Sequence, residues 1–162
     1  MEINAFSGGV EPGGLLNESD IRLLLCYLLN GVNSPMHKSS ILYVIQANGL
    51  ANYFESASAL DELCRAGNLK MIEEDNDPLY QITPEGTLVS QSLATGLPAS
   101  VRKKALNAAL TFLSHQRQEK ENHVEIAPLK KGFRVTCHIS DGHSDMMVLS
   151  LRVPDFVRNA QG

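Results

Sequence analysis

The hydrophobic period of this chain changes once, from 3.6 to 2, and that change separates two kinds of structure. From residue 124 onward, Phe133, Val135, Cys137 and Ile139 alternate with Arg134, Thr136, His138 and Ser140. Met147, Leu149, Leu151 and Val153 alternate in the same way with Val148, Ser150 and Arg152. Successive strand side chains point to opposite faces, so each run has one apolar side. Val124 to Leu129 supplies a first strand, and Lys130-Lys131-Gly132 and Asp141-Gly142 are the hairpin turns. Residues 124–162 therefore read as a three-stranded antiparallel meander. So small a sheet needs a cover on its apolar face, and the long helix described next is the expected one.

Before that point the spacing is helical. With Asn17 or Ser19 as N-cap, Ile21, Leu24, Leu25 and Leu28 mark a helix that stops at Asn30-Gly31. Ser34-Pro35 starts a turn, and a second helix runs from about Lys38 to Ala47, closed by Asn48-Gly49. A third runs from Tyr53 to Ala66 with Tyr53, Ala57, Leu60 and Cys64 as its inner stripe and Leu63 beside it. Leu69–Ile72 and Leu79–Ile82 flank a polar loop and read as a hairpin. Thr83 then caps a fourth helix with Pro84 at its first position and Leu88, Val89 and Leu93 inside. Helix, helix, helix, hairpin, helix is the order of a winged helix-turn-helix domain, placed at 19–95, after a glycine-rich N-terminal arm at 1–18 expected to be extended or mobile. Gly96 and Pro98 interrupt the chain, and 96–123 reads as a long connecting helix whose apolar stripe is too broad for one-sided burial. The fold class expected is α+β.

Composition narrows the function classes. No apolar run approaches the roughly 18 residues a membrane helix needs, and residues 1–9 have no basic and apolar signal pattern, so a cytoplasmic location is expected. Cys26, Cys64 and Cys137 are odd in number and sit in apolar patterns, which argues for reduced thiols. Before Leu93, twelve acids face four bases, a balance of −8, and the remainder carries +4. Such asymmetry suits self-association and opposes nucleic acid on the acidic half.

Four segments resemble a family of uncharacterised bacterial proteins that join a winged helix to a small C-terminal sheet domain. They are residues 8–15, Leu50-Ala51-Asn52-Tyr53-Phe54-Glu55, Ile82-Thr83-Pro84-Glu85-Gly86 and residues 136–142. The third is also similar to the end of the wing in broader winged-helix repressor families. The resemblance covers most of the chain and implies a transcriptional regulator. Members of the family usually continue into another helix after the equivalent of Val153-Pro154; the lack of that cover would leave apolar sheet exposed, which raises either dimerisation or truncation of the chain.

Duplex DNA is the first partner the fold suggests, because the second helix of the motif enters the major groove. Asn52, Ser56 and Ser58 are then the base-facing side chains, with His37, Lys38, Ser39 and Lys70 at phosphates. The same helix carries Glu55, Asp61 and Glu62, and the hairpin tip is Glu73-Glu74-Asp75-Asn76-Asp77, a surface that repels phosphate. The alternative is a protein-interaction module with a homodimer formed through Val101, Leu106, Leu110 and Leu113 of the long helix. Arg102-Lys103-Lys104 reads as a solvated basic run. His138, Asp141, His143 and Asp145 gather at one hairpin, but turn chemistry explains Asp141 and strand alternation separates Cys137 from His138, so no metal is expected. The glycine-rich arm lacks a phosphate-loop ending and no nucleophile motif occurs, so neither cofactor nor catalytic residue is expected.

Overall fold

A computed structural model describes residues 10–15, 17–141 and 143–154. The chain divides into two compact units, Met1–Phe112 and Leu113–Gly162. In the first, the elements are α1 (Glu18–Val32), β1 (Met36–His37), α2 (Lys38–Ala47), α3 (Tyr53–Arg65), β2 (Leu69–Ile72), β3 (Leu79–Ile82), α4 (Pro84–Leu93) and a single 3₁₀ turn, Ala94–Gly96. Helix α5 (Ala99–Glu121) crosses from the first unit into the second, which continues with β4 (Asn122–Pro128), β5 (Phe133–Ser140) and β6 (Asp145–Val153). The fold is α+β, with five α-helices and two three-stranded antiparallel sheets among the described residues.

Local chemistry sets the helix ends of the first unit. Asn17 caps α1 through its side chain, and Asn33, in the left-handed region at φ 53°, closes it three residues beyond the expected Asn30. Asn52 caps α3 and Thr83 caps α4, whose first residue is Pro84. The core gathers Leu24, Leu25, Leu28 and Leu29 from α1 with Ile41 and Ile45 from α2 and Leu60 from α3, all essentially without solvent contact. Each such side chain contributes about 2 kcal/mol of burial. Val101, Ala105 and Ala109 bring the first half of α5 onto this core, and Leu106 lies where a Cβ on Gly31 would be, 2.6 Å from its Cδ1.

Four expectations change here. The hairpin β2–β3 gains a third strand: Met36 pairs with Tyr80 and His37 with Leu79, giving the order β1-β3-β2. The buried side of α3 is Ser56, Ala59, Leu60 and Leu63, while Tyr53 is 40 % exposed and Cys64 half-buried. Small residues let α3 sit close against α1 and α2, which outweighs the hydropathy of Tyr53. Helix α4 does likewise, burying Gly86 and Ser90 and leaving Leu88 and Leu93 at 64 % and 57 % exposure. Lastly, residues 10–15 of the arm are docked. Glu11 N–H donates to the Gly49 carbonyl at 2.9 Å, Leu15 N–H donates to that of Leu50 at 2.7 Å, and Leu15 is buried. A Cβ on Gly14 would meet the Gly49 oxygen at 2.6 Å, so close backbone approach explains the glycine. Residues 1–9 lie outside the described ones.

The second unit's sheet has the order β4-β5-β6. Val124, Cys137 and Leu149 form one cross-strand row, and Ile126, Val135 and Leu151 the next, all on one face. That face is open: Ile126 is 67 % exposed, Leu149 49 % and Leu151 50 %, so the expected cover over it is absent among the described residues. The second turn spans residues 141–144 instead of two residues, with Ser140 opposite Asp145 and a register shift at Ile139/Ser140. Gly142 itself is outside the described residues.

Candidate functional site

Helix α2 begins without a cap of its own. Its N-cap position is His37, which makes no side-chain capping bond, so the first N–H groups of the helix need an outside acceptor. Asp77, from the β2–β3 loop, supplies it. Its Oδ1 accepts from Ser39 N–H at 3.1 Å and its Oδ2 from the Ser39 hydroxyl. The loop is brought there by backbone bonds, Lys38 N–H to the Pro78 carbonyl at 2.9 Å and Asp77 N–H to that of Glu74 at 3.0 Å.

Opposite charges fill the rest of this corner. His37 Nδ1 is 2.9 Å from the Asp77 carbonyl oxygen, and its Nε2 is 3.7 Å from Glu74. Lys38 Nζ lies 3.7 Å from Asp61 on α3, whose carboxylate also accepts from the buried Tyr80 hydroxyl at 3.3 Å. Burial, with Asp61 beside it, pushes the Tyr80 phenol up to about 12. Burial also acts to raise Asp77, but the Ser39 bonds, with His37 and Lys38 nearby, win and hold its carboxyl below the usual range.

A carboxyl held low in the folded state stabilises the fold above its unfolded value and loses that contribution as pH falls through its folded one. Asp77→Ala is therefore expected to cost about 1 kcal/mol at neutral pH, the usual worth of a helix cap. The native and variant denaturation midpoints should converge in acid, and a gap that stays constant with pH would count against the clamp.

The side chains expected at duplex DNA are thus mostly engaged inside the chain. His37, Lys38 and Ser39 face Asp77, Glu74 and Asp61. Asn52 Oδ1 caps α3, accepting from Phe54 N–H at 2.9 Å and Glu55 N–H at 3.2 Å. Ser56 is 0 % exposed and its hydroxyl has no hydrogen-bond partner among the described residues. Ser39, held by Asp77, stands exposed together with Ser58 and Lys70. The outer side of α3 instead presents Phe54, 78 % exposed, at a shallow groove lined by Glu18, Glu55, Ser58, Ala59 and Glu62. Arg22 on α1 is bonded to Glu62.

The residues expected at a helix-mediated dimer are divided. Val101 is 4 % exposed in the core of its own unit and Leu106 lies against Gly31, while Leu110 is 46 % exposed and Leu113 half-buried. Phe112 meets Tyr43 with ring centroids 5.5 Å apart. At the second hairpin, His138 Nδ1 is 2.8 Å from Asp145, and Asp141 accepts from the N–H groups of His143 and Ser144 at 2.9 Å each. Those backbone bonds hold the Asp141 carboxyl low. Among the described residues no three His, Cys, Asp or Glu side chains are grouped to hold a metal. Burial raises the Cys26 thiol to about 11.

No curated protein and no solved structure matches the chain. The family model of a domain of unknown function (DUF4364) matches residues 21–160. The chain belongs to this family. The DUF4364 match takes in most of both units, so the clamped α2 corner and the open sheet face both fall inside it. No helix among the described residues of this DUF4364 chain is long and apolar enough to cross a membrane. Sequence reasoning missed β1 and the Asp77 clamp. One signal for the clamp was present: a helix start with neither Ser, Thr, Asp nor Asn at position 37 must find its acceptor elsewhere.

Proposed function

We propose that the first unit is a winged helix, used as a non-enzymatic regulatory module that binds protein in preference to duplex DNA. The order α1-β1-α2-α3-β2-β3-α4 supports the fold, with α2 and α3 as the helix-turn-helix and β2–β3 as the wing. The observation that carries the partner reading is the α2 corner. The groups best placed to meet a phosphate, Ser39 N–H, His37 and Lys38, already face acids of the same chain. A phosphate approaching there meets Glu74 and Asp77 first, and DNA affinity rests on neutralised phosphates. The α3 groove offers an exposed aromatic ring beside Glu18 and Glu55, with Glu62 held by Arg22, which suits a partner segment that pairs basic with apolar side chains.

The expected result is no retardation of random duplex in a mobility-shift experiment at low salt, where electrostatic attraction is strongest. Retardation that weakens steeply with added salt would overturn the partner reading and favour DNA. Peptides selected from a random library on the immobilised chain should be basic and apolar. Their capture should fall at least tenfold in Phe54→Ala, an exposed position whose loss leaves the core intact.

A further inference from the structure

We infer that the open face of the β4-β5-β6 sheet is the contact surface for a second copy of this chain, packed sheet on sheet about a two-fold axis. The face is defined by register: Val124, Cys137 and Leu149 across its middle, and Ile126, Val135 and Leu151 beside them. Its size fits. Three strands about 4.8 Å apart, each with about eight residues rising ~3.4 Å, give a patch of roughly 400 Å² in outline and near twice that with side-chain relief. That approaches the ~800 Å² per partner of a stable interface and exceeds what a monomer usually leaves bare.

Charge selects the occupant. The strand positions on this face carry no Asp, Glu, Lys, Arg or His, whereas the opposite face carries Glu125, Arg134, His138 and Arg152. A charge-free face meets its own copy without burying an unpaired ion. A nucleic acid or a charged partner would find nothing complementary there. Residues 155–162 bring only Phe156 and Val157 as large apolar side chains, too few for rows from three strands. The contact is isologous, so its axis passes near the centre of the patch and sets the two Cys137 side chains close across it. Packed sheets lie about 10 Å apart with side chains filling the space, so the pair of Cys137 thiols is beyond disulfide reach and shut off from a thiol reagent. The pairing holds whatever the first unit binds.

Light scattering on the full chain should give twice 17.7 kDa at micromolar concentration. In Cys64→Ser chains a maleimide should label Cys137 slowly while the dimer persists and at least tenfold faster on dilution to monomer, and Leu149→Glu should be monomeric with an unchanged far-ultraviolet spectrum. A monomeric native chain overturns the inference, and a dimer only after truncation at Pro154 does so by naming residues 155–162 as the cover. A dimer that survives Leu149→Glu, with Cys137 labelled fast, also overturns it, by moving the contact elsewhere. If Leu149→Glu fails to fold, the labelling rate of Cys137 in the dimer decides the matter: slow labelling supports the contact and fast labelling overturns it.

Discussion

Gly86→Ala is expected to destabilise the first unit by about 3 kcal/mol, the upper end for forcing extra volume into a packed site. Helix propensity alone gives the opposite sign, a gain of about 1 kcal/mol for alanine over glycine inside a helix. The geometry decides between them. A Cβ at Gly86 would stand 2.1 Å from the Asn68 carbonyl oxygen and 2.9 Å from Ile82 Cγ1. The carbonyl cannot swing aside, because it accepts from Thr83 N–H at 3.1 Å, while the Thr83 hydroxyl donates to the adjoining Gly67 carbonyl at 2.6 Å and caps α4 by accepting from Gly86 N–H at 3.2 Å. The clash would therefore lift the start of α4 and disturb its packing through Ser90 against α1. A urea midpoint that rises in Gly86→Ala would show that this approach is not made.

Ser56→Ala should act the other way, adding about 1 to 2 kcal/mol. A buried hydroxyl without a partner bears the full cost of leaving water, and alanine removes it while improving helix propensity. Ser56 is fully buried on the inner side of α3 and its Oγ has no partner among the described residues. Had this side chain faced a base edge, alanine would leave stability almost unchanged and lower DNA affinity. Unchanged or reduced stability on denaturation would place the hydroxyl in a hydrogen bond and reopen its role as a contact.

These two positions also show where sequence reasoning stops. Long apolar periods and their punctuation are local signals, so the bounds of α2 between Pro35 and Asn48-Gly49, the length of α5 and the alternation of β5 were all legible. Leu60 and Leu63 of α3 were legible, but the rest of its inner face and that of α4 were not, because Ser56, Gly86 and Ser90 carry no hydropathy signal and are buried for their size. Strand β1 is two residues long, too short for any period to register. The corner at His37, Lys38 and Ser39 was visible as a cluster of hydrogen-bonding groups, but its partner Asp77 is distant in sequence, and no local pattern records such a contact. The sheet's two faces could be sorted by alternation, whereas its lack of cover is a tertiary fact.

The borrowed cap has a consequence for how the chain comes into being. During synthesis α2 is made before Asp77, which lies 38 positions after Ser39. Until the hairpin loop arrives, the opening turn of that short helix has no acceptor for its amides, and a ten-residue helix is marginal by itself. Birth order and capping order therefore differ for this helix: its first turn gains its acceptor within the chain only once the downstream hairpin loop has folded back onto it.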